Sequence, residues 1–194
     1  MCKFRPLTAD EVDVRIGQAT EKGVQLLLYK DARVDMAVLD STVGVLNWQR
    51  EHYECKGNLY CRVGINRNHD KPELAPEWVW KSDCGSESNT EAEKGEASDS
   101  FKRACTNFGI GRELYTAPFI WVPAGQGCTI KTVNGKPKCY DRFKVTSMTV
   151  SDGKITALEI VNESMKSVAY RFGKTPAVKP DDKAEKRAWA STLP

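Results

Sequence analysis

The chain has 194 residues, of which 40% are apolar and 28% are charged, and its formal net charge is +3. That length suffices for one ordinary domain with its own core, so we expect a soluble globular protein. No apolar run approaches the roughly 20 residues that span a bilayer, and the first residues lack the apolar segment of a signal peptide. We therefore expect an intracellular protein without a membrane partner.

The excess positive charge lies at the C-terminus. Residues 171–194 hold six basic and three acidic residues, whereas the remainder of the chain is balanced. A nucleic acid would therefore be bound in a segregated basic groove rather than by a uniformly positive surface.

Seven cysteines without any Cys-x-x-Cys pair argue against a disulfide framework and against a zinc finger. We expect most of them to be buried thiols, which behave as small apolar residues in a reducing compartment. The alternative is a metal site whose ligands would be His52, Cys55, Cys61 and His69.

The first predicted element is a helix that begins at Thr8, carries acids in its first turn and runs to about Ile16. Gly17 and Gly23 then bracket a flexible connection. Residues 24–29 form a nearly continuous apolar run of the length typical of a strand.

Residues 34–39 either extend this strand or begin a short helix. Asp35, Leu39 and Val43 recur at a spacing of four, which favours the helix, with Gly44 near its end. Three further strands are predicted over residues 46–55, 59–66 and 77–82, and together they form an antiparallel meander. Their register stays open, because the first of them does not separate apolar from polar positions.

A long helix is predicted between Thr90 and Gly111. Thr90 and Glu93 form a capping box, and Gly109 offers a left-handed stop. Between these ends runs an apolar stripe made of Ala97, Phe101, Ala104, Cys105 and Phe108. Basic residues lie beside the stripe, a pattern that a solvated face with acidic partners would also explain. A strand-rich run before one long helix indicates an α+β domain in which the helix covers one face of the sheet.

The chain changes character after Gly111. Asn134-Gly135 predicts a tight turn, and residues 143–150 and 154–161 flank Ser151-Asp152-Gly153 as a β-hairpin extension. Residues 173–194 are charged and poor in apolar residues, which is typical of a mobile basic tail. We therefore expect one domain over residues 1–172, with a core at about 10–115, an extension over 116–172 and a tail over 173–194.

Sequence motifs that would indicate nucleotide binding, cofactor binding or catalysis are weak or absent. No GxxxxGK[ST] loop is present, and Gly109-Ile110-Gly111 follows a helix rather than a strand, so we expect neither ATP nor another cofactor. His52 and His69 have no neighbouring motif for a nucleophile and its base. One enzymatic alternative remains, a metal-dependent nuclease whose candidate ligands are Asp83, Glu87, Glu91 and Glu93.

Two segments carry a resemblance to a known family. EKGEASDSFKRACTNFGIGRELY resembles the signature helix of the Rad52 family of single-strand annealing proteins, including its phage and prophage members. Upstream, VRIGQATEKGVQLLLYKDARVDMAVLDSTVG, ending near Trp48, is similar to the family's arginine, glycine-rich turn, strand and short helix. The segments occur in the family's order, and the resemblance covers about residues 10–115.

The resemblance implies a β-β-β-α core that packs with copies of itself into a ring or filament, with single-stranded DNA in a positive groove. Arg15 matches an arginine of that groove, and Lys94, Lys102 and Arg103 match basic positions on the signature helix. Thr106 departs from the pattern, because eukaryotic members carry a further arginine there. Three basic residues on the strands could supply the positive charge that is missing at position 106: Arg62, Arg67 and Lys81.

These observations predict ATP-independent annealing of complementary strands in recombination or double-strand break repair, without enzymatic chemistry. The expected partners are single-stranded DNA, further copies of the chain and a single-strand-binding protein or exonuclease, in the cytoplasm of a bacterial or phage-infected cell. A module that binds single strands without annealing them is the alternative. Aromatic residues that could stack on bases are expected mostly in the core: Tyr29, Trp48, Tyr53, Tyr60, Trp78 and Trp80.

Overall fold

The computed structural model describes residues 3–86 and 92–174. These residues form two main sheets, one small hairpin and two α-helices, and nearly all strand pairs are antiparallel. This confirms the predicted α+β class. In chain order the elements are β1 (Asp13–Thr20), β2 (Gly23–Tyr29), α1 (Ala32–Val43), β3 (Trp48–Cys55), β4 (Asn58–Asn66), β5 (Trp78–Cys84), α2 (Ala92–Phe108), β6 (Ile120–Pro123), β7 (Lys131–Val133), β8 (Lys136–Lys138), β9 (Phe143–Ser151), β10 (Lys154–Asn162) and β11 (Ser167–Phe172).

The predicted N-terminal helix is wrong. Only a 3-10 turn, Ala9–Glu11, forms there, and the Glu11 carboxylate accepts the Thr8 backbone N–H at 2.9 Å. Beyond it, apolar residues at 12, 14 and 16 alternate with polar ones, and this period of two belongs to a strand. Gly17 lies inside that strand, β1, at a bulge in its pairing with β2, rather than in a flexible connection.

The elements that follow agree with the sequence. β2 spans the predicted apolar run, and α1 confirms the helix that the spacing favoured. The Asp31 side chain caps α1 by accepting the Arg33 N–H at 2.8 Å, and Gly44 ends the helix with a φ of 89°. The indole N–H of Trp48 donates to Asp40 at 2.6 Å and ties α1 to the next strand.

Strands β3, β4 and β5 form the predicted antiparallel meander, and α2 packs across β4 and β5. Cys61, Val63 and Ile65 of β4 are buried in the same core as Phe101 and Cys105 of α2. Alternation along β4 explains this, because every second side chain points to the same face. The predicted start of α2, with Thr90, lies outside the described residues.

The expectation that most of the six aromatic residues lie in the core is wrong. Of these, only Trp48 packs against the core, with its ring centroid 6.1 Å from that of Phe101. Tyr29, Tyr53 and Trp80 are more than a third exposed. The reason is register, because Tyr60 and Trp80 occupy strand positions that alternate with the buried ones and therefore face away from α2.

The C-terminal strands extend the N-terminal sheet. The six-stranded sheet has the order β11-β10-β9-β1-β2-β6, and β9 meets β1 where Asp13 is paired with Lys144. The predicted turn at Asn134-Gly135 is confirmed, since both residues have positive φ and join β7 to β8. The hairpin of β9 and β10 is also confirmed, whereas β11 was not predicted.

Of the predicted tail, only residues 173 and 174 are among those described, and the domain limits stay a prediction. Within the described residues, no helix is long and apolar enough to cross a membrane.

Candidate nucleic-acid interface

Helix α2 divides its side chains between the core and an open groove. Phe101, Ala104 and Cys105 are fully buried on one side. Residues 99, 102, 103 and 106 follow the spacing i, i+3, i+4, i+7, so they form one row along the other side. That row includes Lys102 and Arg103, which the sequence singled out.

A groove of about 290 Å³ lies between this row, strand β1, the end of β2 and the turn that follows α2. Arg15 enters it from β1, so the structure brings together three of the predicted residues from distant parts of the chain. The cationic and aromatic residues that line the groove are Arg15, Tyr29, Lys30, Lys102, Arg103 and Tyr115. One acid, Asp99, also lines it, and its carboxylate accepts the Ser86 backbone N–H at 3.2 Å.

The cations of the groove differ in how they are paired. Arg15 and Lys102 have no ion pair with any residue that the structure describes, and the Arg15 guanidinium lies 6.0 Å from the centre of the Tyr29 ring. Arg103 donates to the Asp83 carboxylate at 3.2 Å and is 45% exposed. Burial disfavours its charged form, but the charge of Asp83 and this hydrogen bond outweigh burial, so the pKa of Arg103 is raised.

Two tyrosine side chains that line the groove are exposed to solvent. Tyr29 is 38% exposed at the end of β2, and Tyr115 is 71% exposed in the turn after α2. An exposed ring beside unpaired cations can stack on a base while the cations hold the phosphates. Tyr115 was not singled out from the sequence, because it follows the helix in a segment without strand or helix periodicity.

Beneath these cations lies a buried ion pair that the sequence did not predict. The Lys30 ammonium, 5% exposed, donates to Oδ1 of Asp35, which is fully buried on α1. Burial raises the pKa of Asp35, and Lys30 and Lys102 oppose this by their charge. The second carboxylate oxygen, Oδ2, has no hydrogen-bond partner among the described residues.

Position 106 is neutral, as the sequence requires. The Thr106 hydroxyl donates to the Lys102 carbonyl at 3.0 Å, within its own helix. Just beyond, Arg112 donates to the Thr106 and Asn107 carbonyls at 3.0 and 3.1 Å, and so satisfies free groups at the C-terminal end of α2. No pattern in the sequence indicated this role for Arg112.

A family model described as Rad52/22 family double-strand break repair protein matches residues 5–127, more than half of the chain. The chain belongs to the Rad52/22 family. The resemblance found in its sequence is therefore confirmed, and with it a role in DNA binding, recombination and repair. Comparison with curated proteins and with solved structures gives no match. The groove residues from Arg15 to Tyr115 all lie inside the part that matches the Rad52/22 family.

The predicted basic residues on the strands of this Rad52/22-family chain lie outside the α2 groove. A second hollow is lined by Arg62, Trp80 and Lys81, with Tyr53 and Glu51. Arg62 pairs with Glu51 at 2.6 Å and lies 4.8 Å from the centre of the Trp80 ring.

The ammonium of Lys81 donates to the Asn107 carbonyl at 2.7 Å, at the C-terminal end of α2. Arg67 pairs with Glu77 at 3.0 Å and lines neither hollow. Lys94, also predicted, is exposed near the start of α2 and is not part of the groove lining.

Of the residues named for metal binding, His52 and Asp83 have other partners, and Glu87 and Glu91 lie outside the described residues. Within the described part of the chain, no group of three or more His, Cys, Asp or Glu side chains gathers around a common point. His52 Nε2 lies 3.1 Å from the Ala97 carbonyl, and burial raises the pKa of Cys61 to about 11, which disfavours a thiolate ligand. Among the nuclease candidates, Asp83 bonds Arg103, whereas residues 87 and 91 are not described.

Proposed function

We propose that this protein binds single-stranded DNA along the α2 groove and anneals complementary strands without ATP, in recombination or double-strand break repair. The observation that carries the proposal is the convergence of Arg15, Lys102 and Arg103, from β1 and α2, in one open groove. Membership of the Rad52/22 family supports it independently. The role requires no covalent chemistry and no cofactor.

The physical requirements of annealing fit the groove. The protein must hold the sugar-phosphate backbone while leaving base edges free to pair, so its cations must contact phosphates without reading sequence. Arg15 on a strand and Lys102 on a helix are held by rigid elements, which limits the range of distances between their charges. The exposed rings of Tyr29 and Tyr115 add stacking surfaces that tolerate any base.

A groove of about 290 Å³ accommodates only a short stretch of DNA, so annealing over longer distances needs several copies of the groove in a row. We propose that the β-β-β-α unit formed by β3, β4, β5 and α2 packs with further copies into a ring or filament. Residues 1–172 then form the annealing domain. Residues 173–194 act as a basic tail that contacts a second strand, a single-strand-binding protein or an exonuclease, in the cytoplasm of a bacterial or phage-infected cell.

The proposal is tested with labelled oligonucleotides. Binding of a single strand is measured over a range of salt concentrations, and pairing of complementary strands is followed by fluorescence. Lys102→Ala/Arg103→Ala should weaken binding, lower the salt slope by up to about 1.4, at about 0.7 per lost contact, and slow pairing. The control is Arg33→Ala/Arg67→Ala, which removes the same charge from exposed arginines outside the groove.

Three results would contradict the proposal, each in a different way. An unchanged slope in the Lys102→Ala/Arg103→Ala variant would place the binding surface outside the groove. Binding without faster pairing would indicate a module that only coats single strands. Cleavage of the strand in magnesium or manganese, lost on replacing Asp83 or Glu93, would indicate a nuclease.

A further inference from the structure

The buried lysine under the groove has an unusual position. Lys30 is the residue after β2, and lysine is almost never this buried unless it is paired. Its partner Asp35 lies one turn into α1, so the two ends of the β2–α1 junction face each other across the ion pair. At the same time Lys30 lines the groove into which Arg15, Lys102 and Arg103 point.

The backbone around Lys30 leaves room for its side chain. Gly111 has a φ of 67° and also lines the groove. A Cβ at this position would collide with the methylene groups of Lys30, so the glycine satisfies both a left-handed conformation and a close approach. The space that holds the Lys30 side chain thus depends on the turn that follows α2.

The ion pair does not use all the hydrogen-bond donors of Lys30. An ammonium group has three donors, and the described residues supply Lys30 with one acceptor, Oδ1 of Asp35. Two donors of this nearly buried cation therefore have no acceptor among the described residues, and Lys30 lines the groove. A buried charge is screened less by salt than an exposed one, so a phosphate oxygen that meets these donors is held more firmly than at the surface.

We propose that Lys30 is a further contact for a phosphate of the DNA backbone, on the floor of the groove, and that Asp35 is the residue that positions its ammonium. The inference rests on the proposed function, because it assigns a role within the same groove. Asp35 is needed because a long flexible side chain would otherwise choose among several orientations. The ion pair holds Lys30 in one of them before DNA arrives.

Removing Lys30 alone would leave Asp35 as an uncompensated buried charge, which is strongly destabilising, so the test replaces both. Lys30→Met/Asp35→Leu substitutes apolar side chains of similar size, and Lys30→Gln/Asp35→Asn keeps a neutral hydrogen bond. Both changes leave the net charge of the protein unaltered. The matched control, Arg67→Gln/Glu77→Gln, also removes one cation and one anion, but outside both hollows.

Thermal unfolding first shows which variants are folded, and the salt slope of single-strand binding is then measured. We expect the slope of a folded Lys30 variant to fall by up to about 0.7, while the control keeps the wild-type slope. A folded variant with an unchanged slope would overturn the inference. If Lys102→Ala still lowers the slope in that case, the proposed function stands and only the role of Lys30 is lost. A wild-type protein that does not bind single strands overturns both.

A measurement on the wild-type protein avoids dependence on folding of the variants. At a mildly alkaline pH, where a fraction of the lysine amines is deprotonated, a short oligonucleotide with its 5′-phosphate activated as an imidazolide forms a phosphoramidate with an amine that it touches. Imidazole is the leaving group, and peptide mapping locates the new P–N bond. We expect modification of Lys30 as well as Lys102. Modification of Lys102 without any at Lys30 would contradict the inference.

Discussion

The α2 groove and the hollow on the strands are both rich in cations, but among the described residues only the groove holds cations with neither an ion pair nor a hydrogen bond to a protein acceptor. In the groove, Arg15 and Lys102 have no ion pair among the described residues. In the hollow, Arg62 is paired with Glu51, and Lys81 is bonded to a helix carbonyl. A cation that already has a partner gains less by binding a phosphate than an unpaired cation does. The comparison teaches that the number of cations without a protein partner predicts the binding surface better than the total number of basic residues does.

The largest effect is expected from removing the available charges. Arg15→Ala/Lys102→Ala should lower the salt slope of single-strand binding by about 1.4, because two phosphate contacts are lost. Arg62→Ala/Lys81→Ala removes the same charge from the hollow and should change the slope little. Fluorescence anisotropy over a salt series measures both. Equal losses in the two variants would show that pairing does not decide which cations bind DNA.

A gain of charge tests the same comparison in the opposite direction. Thr106 lines the groove one turn beyond Lys102, with its hydroxyl bonded inside its own helix. Thr106→Arg should raise the salt slope by about 0.7, because the new guanidinium would add a cation to the groove lining. Ser82→Arg is the control, since position 82 lines the hollow instead. A larger gain from the control would point to the hollow as the path of the DNA.

A smaller effect is expected from releasing a paired cation within the groove. Asp83→Asn removes the negative partner of Arg103 while retaining a hydrogen-bond acceptor. We expect tighter binding at low salt, with a change in slope below the value of about 0.7 for one full contact. In Asp83→Asn/Arg103→Ala the gain should disappear. Persistence of the gain in that double variant would show that Asp83 acts through another group.

Much of the fold could be predicted because its signals are local. Asn134-Gly135 and Asp152-Gly153 adopt the positive φ values that tight hairpins need, and the stripe on α2 follows the helical period. The helix expected from Thr8 failed because the same cap satisfies a single 3-10 turn, while Val12 and its neighbours follow the period of a strand. Local signals show that a turn of helix begins but do not fix its length.

The site was partly predictable for a different reason. The row on α2 and Arg15 could be found from sequence, because both lie in segments that resemble the family. The ion pair of Lys30 and Asp35 was not found, although both residues lie in one of those segments, because it depends on how α1 packs against the end of β2. The exposed aromatic residues show the same limit. Strand alternation tells which side chains share a face, but only tertiary packing decides which face α2 covers.

Lys81 allows stability to be separated from binding in the hollow. Its ammonium bonds the Asn107 carbonyl and lies 4.9 Å from the centre of the Phe108 ring, so it supports the negative end of α2. Lys81→Met should lower the free energy of unfolding by about 0.5–1 kcal/mol and leave the salt slope unchanged. Chemical denaturation gives the first value. A lower slope without lost stability would assign Lys81 to DNA binding instead.

The smallest effect concerns a paired cation that lines neither the groove nor the hollow, and it shows in the dependence of stability on pH. The hydrogen bond from Arg5, assisted by the Thr8 N–H, lowers the pKa of Glu11 to about 2 from an ordinary value of 4.5. Because the folded state binds the proton less readily than the unfolded chain, Glu11 stabilises the fold above pH 4.5. That contribution is lost as the pH falls from 4.5 towards 2.

Glu11→Gln should therefore cost about 0.5 kcal/mol at neutral pH, since Arg5 is 43% exposed and solvent screens the pair. The difference from the wild type should shrink as the pH falls below 4.5. Denaturation curves at a series of pH values measure this. A difference that stays constant down to pH 2 would mean that Glu11 acts through its shape and not its charge. In that case the Arg5–Glu11 pair would not show that a carboxylate neutralises the cation beside it. The comparison of groove and hollow assumes that it does.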